Sequence, residues 1–314
     1  MNVAVIGNGA FGKWHVKLLA ADSRVEELVA TRTTEERARE STAGYNGRVQ
    51  PFAVANAADM EQLLTEFNPD LVDITAKSMS NSHDIHTEYA ALALQHGARV
   101  FFEKPAHTAT GDGTSVRHVD DLLAYRDGVI GMHLPLSAIH QERYQDTPFM
   151  SALHSAAEIA YDWNSTGEGD VIDDLLLHPW STLPNGIVRG DVQAKKHDTG
   201  YEIAFTTTSS VAVRIRLGRG NDTRTVTLDG QCYHVVKGAD NVNSFVPVTN
   251  GTLGASALDV ENPLQQHISA MFATPLFGGD GIRQSQTFLE KAQYKVNELE
   301  GKKARETGGY SLGL

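Results

Sequence analysis

The stretch "NVAVIGNGAFGKWHVKLLAA", residues 2–21, decides how the rest of the chain is read. Val3 to Ile6 form a short run rich in β-branched residues, Gly7, Gly9 and Gly12 follow in G-x-G-x-x-G spacing, and Trp14, Leu18 and Leu19 recur as the apolar positions of a helix. Strand, glycine turn and helix are the context in which this spacing binds a dinucleotide. Gly7 permits the tight turn, Gly9 lets a pyrophosphate approach the backbone, and Gly12 lets the helix pack on the strand. The helix N-terminus then faces the negative charge. The plainer alternative is that the three glycines serve only a turn.

The next strand bears on which dinucleotide is held. In "ELVATRTTEER" the strand ends in Thr31, Arg32 and Thr33, with no carboxylate until Glu35. A free ribose 2′-hydroxyl is usually met by an acidic residue about 20 residues beyond the glycines, whereas a 2′-phosphate suits a hydroxyl and an arginine. The pattern favours NADP(H) over NAD(H). Against it stands a solvated loop arginine in a chain that uses either nucleotide.

Strand and helix patterns continue to alternate through "RVQPFAV", "AADMEQLLTEF", "DLVDIT", "HTEYAALALQHG" and "ARVFFEKP". Such alternation predicts a parallel sheet covered on both faces. After about residue 125 the pattern changes to short alternating strands, among them "EIAYDW", "GYEIAFT" and the run around Val211, Val213, Ile215 and Leu217. "TRTVTLDGQCYHVV" carries Asp229-Gly230, a two-residue hairpin signal. The fold class expected is α/β: a Rossmann domain over residues 1–124, then an α+β domain over 125–314 built on a predominantly antiparallel open sheet. The closing "GIRQSQTFLEKAQYKVNELEG" reads as an amphipathic helix stopped by Gly301, able to pack back on the first domain.

Composition narrows the partners. With 39 Asp and Glu against 27 Lys and Arg, the 314-residue chain has a formal net charge of −12, which argues against nucleic acid or an anionic membrane. Arg214, Arg216, Arg219 and Arg224 read as a solvated sheet face or a subunit contact. No apolar run approaches the roughly 20 residues of a membrane-spanning helix. The single cysteine, Cys232, cannot form an intramolecular disulfide and reads as a small buried strand residue; with no leader in "MNVAVIG", a cytoplasmic location is expected.

In "IDDLLLHPW", residues 172–180, Asp174 and His178 stand four apart, the spacing that puts two side chains on one helix face. This is either a buried helix with a core histidine or a catalytic pair. Pro179 removes a helical hydrogen bond and restricts His178, so Asp173 competes with Asp174 as its partner. Tyr161, Trp163 and Trp180 read as core or pocket lining. His83, His86 and Glu88 match no strong zinc spacing, and no metal is expected.

The N-terminal glycine motif, "HGARVFFEKP", the D-x-x-x-H pair and the closing "DGIRQSQTFLEKAQ" helix together resemble the Gfo/Idh/MocA oxidoreductases, the family of glucose-fructose oxidoreductase and inositol dehydrogenase. Glu103-Lys104-Pro105 matches the family's E-K-P motif. The resemblance implies that Lys104 sits beside the nicotinamide and bonds the reacting substrate oxygen, that the bond before Pro105 is cis, and that His178 carries a proton while Asp174 fixes it or the substrate. It implies cofactor contacts from Gly7, Gly9, Ala10, Phe11, Gly12, Thr31, Arg32, Thr75, His86, Glu103, Lys104 and Pro105. It also implies a small-molecule substrate and a homodimer or homotetramer joined through the second-domain sheet. The chain departs from the family in Leu176, commonly glycine, in Ser181, often aspartate, and in the longer segment "TAKSMSNSHDIH".

The function expected is hydride transfer between nicotinamide and a hydroxyl or carbonyl carbon of a sugar, polyol or similar polar molecule. An imine or conjugated double-bond reductase on the same fold, and a dinucleotide-sensing protein without turnover, are the other two readings.

Overall fold

A computed structural model of the chain describes residues 1–77, 79–80, 83–125, 128–184, 188–238 and 242–302. Part of the long segment before His86 therefore lies outside the described residues, as does the side chain of His83.

The first half runs β1 (Asn2–Ile6), α1 (Gly12–Ala21), β2 (Glu27–Arg32), α2 (Glu35–Thr42), β3 (Gln50–Ala53), α3 (Ala57–Phe67), β4 (Leu71–Ile74), the two short strands β5 (Met79–Ser80) and β6 (His83–Asp84), α4 (Ile85–Gln95), β7 (Arg99–Glu103), α5 (Thr114–Leu123) and β8 (Ile130–His133). Six strands make one sheet in the order β3-β2-β1-β4-β7-β8, every pair parallel. This is the dinucleotide-binding strand order, reversing direction between β1 and β4, and ligands of such sheets lie beyond the carboxyl ends at that switch point. The sheet extends past residue 124 to His133. Central strands buried on both faces need apolar runs. Ala4, Ile6, Val72 and Ile74 pack on one side, and Val3, Val5, Leu71 and Phe101 pack with Val16 and Leu19 of α1 on the other.

In α1 the buried face is Gly12, His15, Val16 and Leu19, while Trp14 is exposed. The expected apolar position at Trp14 is thus corrected: Lys13 and Lys17 hold their ammonium groups 5.4 and 5.7 Å from its ring centroid on the surface. His15 takes the inward position because a buried carboxylate, Asp73 of β4, stands beneath it to satisfy its ring.

The second half contains α6 (Pro148–Ser155), β9 (Glu158–Ser165), α7 (Val171–Leu175), α8 (Leu177–Trp180), β10 (Val188–His197), β11 (Gly200–Thr207), β12 (Ala212–Arg219), β13 (Arg224–Leu228), β14 (Gln231–Lys237), β15 (Asn243–Thr249), β16 (Thr252–Leu253), β17 (Leu258–Val260), α9 (Pro263–Met271) and α10 (Gly279–Glu300). Its nine-stranded sheet is antiparallel except for the parallel pair β9 and β12. Asp229 and Gly230 take the left-handed conformations of a two-residue hairpin between β13 and β14. Cys232 is only partly buried in β14, so its reading as a buried residue is corrected.

Both late helices return to the first half. Ile268 and Met271 of α9 join the α1 side of the parallel sheet, and α10 packs against α5 as well as β10. Glu290 of α10 makes the join polar, accepting hydrogen bonds from Thr110 N, Thr110 Oγ1, Gly113 N and Ser115 Oγ. Among the described residues no helix is long and apolar enough to cross a membrane.

Candidate active site

At the end of β1 the chain turns at Gly7, where φ is +103°, and the turn is pressed against the loop after β4. A Cβ on Gly7 would lie 2.6 Å from Ala76 N and Cα, and one on Gly12 would lie 2.3 Å from Gly7 O and 2.4 Å from Thr75 Oγ1. Thr75 secures the same turn by donating to Gly7 O at 3.0 Å. On the outer side the loop is open: a Cβ on Gly9 meets nothing nearer than 3.8 Å, Ala10 and Phe11 are exposed, and no side chain caps the N-terminus of α1. An uncapped helix start behind an open glycine turn fits a pyrophosphate.

Thr31 and Arg32, at the end of β2, have different places. Thr31 is buried, and its hydroxyl accepts from Gly7 N at 3.0 Å, so it shapes the turn from within. Arg32 lies against the loop, donating from Nη1 to Asn8 O at 2.8 Å, its one side-chain hydrogen bond among the described residues. Thr33 is exposed, and Thr34 caps α2.

The end of β7 supplies Glu103, Lys104 and Pro105, and the Lys104-Pro105 bond is cis. His86, near the start of α4, ties this segment to the loop after β4: Nδ1 lies 2.8 Å from Pro105 O and Nε2 2.8 Å from Ala76 O. A neutral imidazole donates to one of these carbonyls at a time. Glu103 turns towards the sheet, its Oε1 3.2 Å from His15 Nε2. Burial works against a charge on His15, but Asp73 and Glu103 outweigh it and raise the pKa to about 10.

Lys104 reaches the other half of the molecule. Its Nζ donates to Asp174 Oδ1 at 3.0 Å and to Asp174 O. Asp174 is clamped from the far side by Arg219 Nη2, 2.9 Å from Oδ2. Burial pushes the Asp174 carboxyl up, but the two cations dominate and hold it below the usual carboxylate range. Asp173 is otherwise engaged, accepting from Ala109 N at 3.1 Å, so the structure pairs Asp174, rather than Asp173, with Lys104.

The helix around the pair is interrupted. Hydrogen bonds hold Leu176 N to Ile172 O, then Trp180 N to Leu176 O, and the break between α7 and α8 falls at Leu176. Two causes are visible: Pro179 has no N–H to offer Leu175, and the carbonyl of Asp174 is taken by Lys104. His178 therefore sits on α8, its ring stacked on Trp163 at 6.3 Å and 22°. Burial, then the charges of Lys104 and Arg224, push its pKa down to about 3 against a weaker pull from Asp174. At neutral pH it is an uncharged imidazole.

Two arginines assigned from sequence to a solvated face belong here instead. Arg219 binds Asp174, and Arg224 lies over the Trp163 ring, 5.6 Å from its centroid. Arg214 does stay on the surface, paired with Glu158. Tyr161, bonded to Thr182, and Trp180, stacked on Phe288, are core. Strand register brought Arg219 and Arg224 to the site: Arg224 pairs with Trp163 and Arg219 with Ser165 across β9.

Residues 1–125 match the model of the oxidoreductase family with an NAD-binding Rossmann fold. Solved structures resemble the chain over nearly all its length. UDP-N-acetylglucosamine 3-dehydrogenase GnnA from Acidithiobacillus ferrooxidans is 18% identical, with 94% of this chain and 97% of that one covered at a TM-score of 0.67. The 3-ketoreductase KijD10 from Actinomadura kijaniata, in complex with TDP-benzene and NADP, is 15% identical over 93% and 96% at 0.70. An oxidoreductase from Agrobacterium radiobacter, in complex with NAD+, L-tartaric acid and magnesium, is 13% identical over 95% and 97% at 0.66. At these identities the likeness is one of fold. Over its first 125 residues the chain is similar to the NAD-binding Rossmann domain of the Gfo/Idh/MocA oxidoreductases.

Proposed function

We propose that the chain is an NADP(H)-dependent oxidoreductase that transfers a hydride between the nicotinamide and a hydroxyl or carbonyl carbon of a sugar, polyol or similarly polar small molecule. The observation that carries this reading is the convergence of Lys104, from the end of a parallel strand, with Asp174, whose charge reaches His178 on the next helix. When bound, the nicotinamide supplies or accepts the hydride. The protein handles the proton and the charge. Neutral His178 is the acceptor for a hydroxyl proton, and Lys104, steered by Asp174, puts positive charge where the substrate oxygen becomes alkoxide-like. Arg219 Nε and Nη1, Arg224 Nε and Trp163 Nε1 are buried donors without a partner among the described residues, and they suit a substrate rich in oxygen.

The preference for NADP(H) rests on Arg32 beside the loop and on the absence of a carboxylate at the end of β2. Titration with NADPH and NADH, followed by an absorbance screen against sugars, inositols and keto compounds, tests both halves of the reading. Equal affinity for the two nucleotides defeats the role of Arg32. Tight cofactor binding without turnover on any of the panel defeats the assigned substrate class. The outward face of the second sheet, where Ala212, Arg214 and Arg216 alternate into solvent, is where we place a homodimer or homotetramer contact, read by sedimentation.

A further inference from the structure

We propose that His15, Glu103 and His133 form a zinc site beneath the glycine loop. The three come from α1, β7 and β8, and one ligand atom from each lies within 4.8 Å of the others. His15 Nε2 and Glu103 Oε1 face each other at 3.2 Å as an ion pair, and His133 Nδ1 beside them is buried with no hydrogen-bond partner among the described residues. Both imidazoles are fully buried and the Glu103 side chain is 12% exposed, so His133 Nδ1 is a lone pair removed from water with an unmet need beside a buried carboxylate.

Their orientation has a single cause. Asp73 is fully buried in β4, and its two oxygens take the opposite ring nitrogens, Oδ2 lying 2.8 Å from His15 Nδ1 and Oδ1 2.9 Å from His133 Nε2. A carboxylate holding the far N–H of a ligating histidine fixes its tautomer and makes the free nitrogen a better ligand. Here one carboxylate does this for two histidines at once, whose rings stand nearly perpendicular, 4.7 Å apart. Two imidazole nitrogens and one carboxylate oxygen are a zinc donor set that leaves a fourth position for water.

Charge points the same way. Asp73 and Glu103 bring two negative charges to this cluster, and the nearby cation Lys104 is spent on Asp174. A divalent ion neutralises both, whereas one proton on His15 neutralises only one. The slight exposure of Glu103 leaves a way in for an ion. Zinc here would lock α1 to the ends of β7 and β8, and so fix the glycine loop relative to Lys104 without touching substrate. This site stands or falls independently of the hydride-transfer reading.

The test is metal content and stability of the full chain, purified without metal-affinity resin, stripped with chelator and dialysed against limiting Zn2+. The expected result is one equivalent of tightly held zinc, a higher Tm, and, on replacement by Co2+, the visible d–d band of a four-coordinate N/O site. His133→Asn should lose the equivalent, while His154→Gln, a change to an exposed histidine, should keep it. The Co2+ spectrum of the unmodified chain answers even where His133→Asn does not fold. Zinc well below one equivalent, no Co2+ band, or undiminished zinc in folded His133→Asn would overturn the site, leaving a proton shared by His15 between Asp73 and Glu103.

Discussion

Lowering the pH should destabilise the chain through His178, and the effect can be isolated by His178→Gln. The ring is held neutral in the fold, with its pKa pushed down to about 3, but takes up a proton near 6.5 once unfolded. Between these values the unfolded state binds more protons, so stability falls as pH falls, by at most about 1.4 kcal/mol per pH unit. From about pH 8 to about pH 5 the largest loss traceable to this ring is about 2 kcal/mol, and the water kept by a partly exposed ring brings the expected value to about 1 to 2 kcal/mol. His267, also pushed down to about 3 by burial and the charge of His133, titrates in both proteins and cancels in the comparison. Urea unfolding followed by circular dichroism is the assay, with m-values checked for constancy. The wild type should lose about 1 to 2 kcal/mol more than His178→Gln across that pH range. Parallel curves would mean that His178 titrates normally in the fold, and the picture of an imidazole held neutral by burial and by the charges of Lys104 and Arg224 would fail.

Two further substitutions probe the frame around the site. Gly12→Val should weaken NADPH binding at least tenfold in a fluorescence titration while the circular dichroism spectrum is kept, because the new Cβ would sit 2.3 Å from Gly7 O and displace the loop. Glu290→Ala should cost about 2 kcal/mol or more in urea unfolding, since it leaves the buried Thr110 N–H without an acceptor, at roughly 1 to 3 kcal/mol, and removes the acceptor of the part-buried Gly113 N–H. Full stability in Glu290→Ala would show that water replaces the carboxylate.

Much of the first domain was legible because its signals are local. Glycine spacing after a β-branched run specifies strand, turn and helix within twenty residues, and the Asp229-Gly230 hairpin and the Gly301 stop fall where their conformations require. Glu103-Lys104-Pro105 was legible as a motif, though not the inward turn of Glu103. Trp14 was misread because an aromatic at helical spacing looks like core until its neighbours are known. The role of Thr31 was hidden too, since a hydroxyl at a strand end can face a ligand or, as here, the adjoining turn.

The amino-acid sequence by itself determined the strand and helix pattern, the open glycine turn and the residue types available for proton and charge work, because each depends on contacts within a few residues. Only the tertiary structure decided which of those residues meet. Asp174 rather than Asp173 faces Lys104. Arg219 and Arg224 come to the site through the register of β12 and β13 on β9. His15, Asp73, Glu103 and His133 converge from four elements that no spacing relates. The physical reason is that a charge or a lone pair acts over a few ångströms of space, and the chain brings such groups together only after its core has set the distances between its elements.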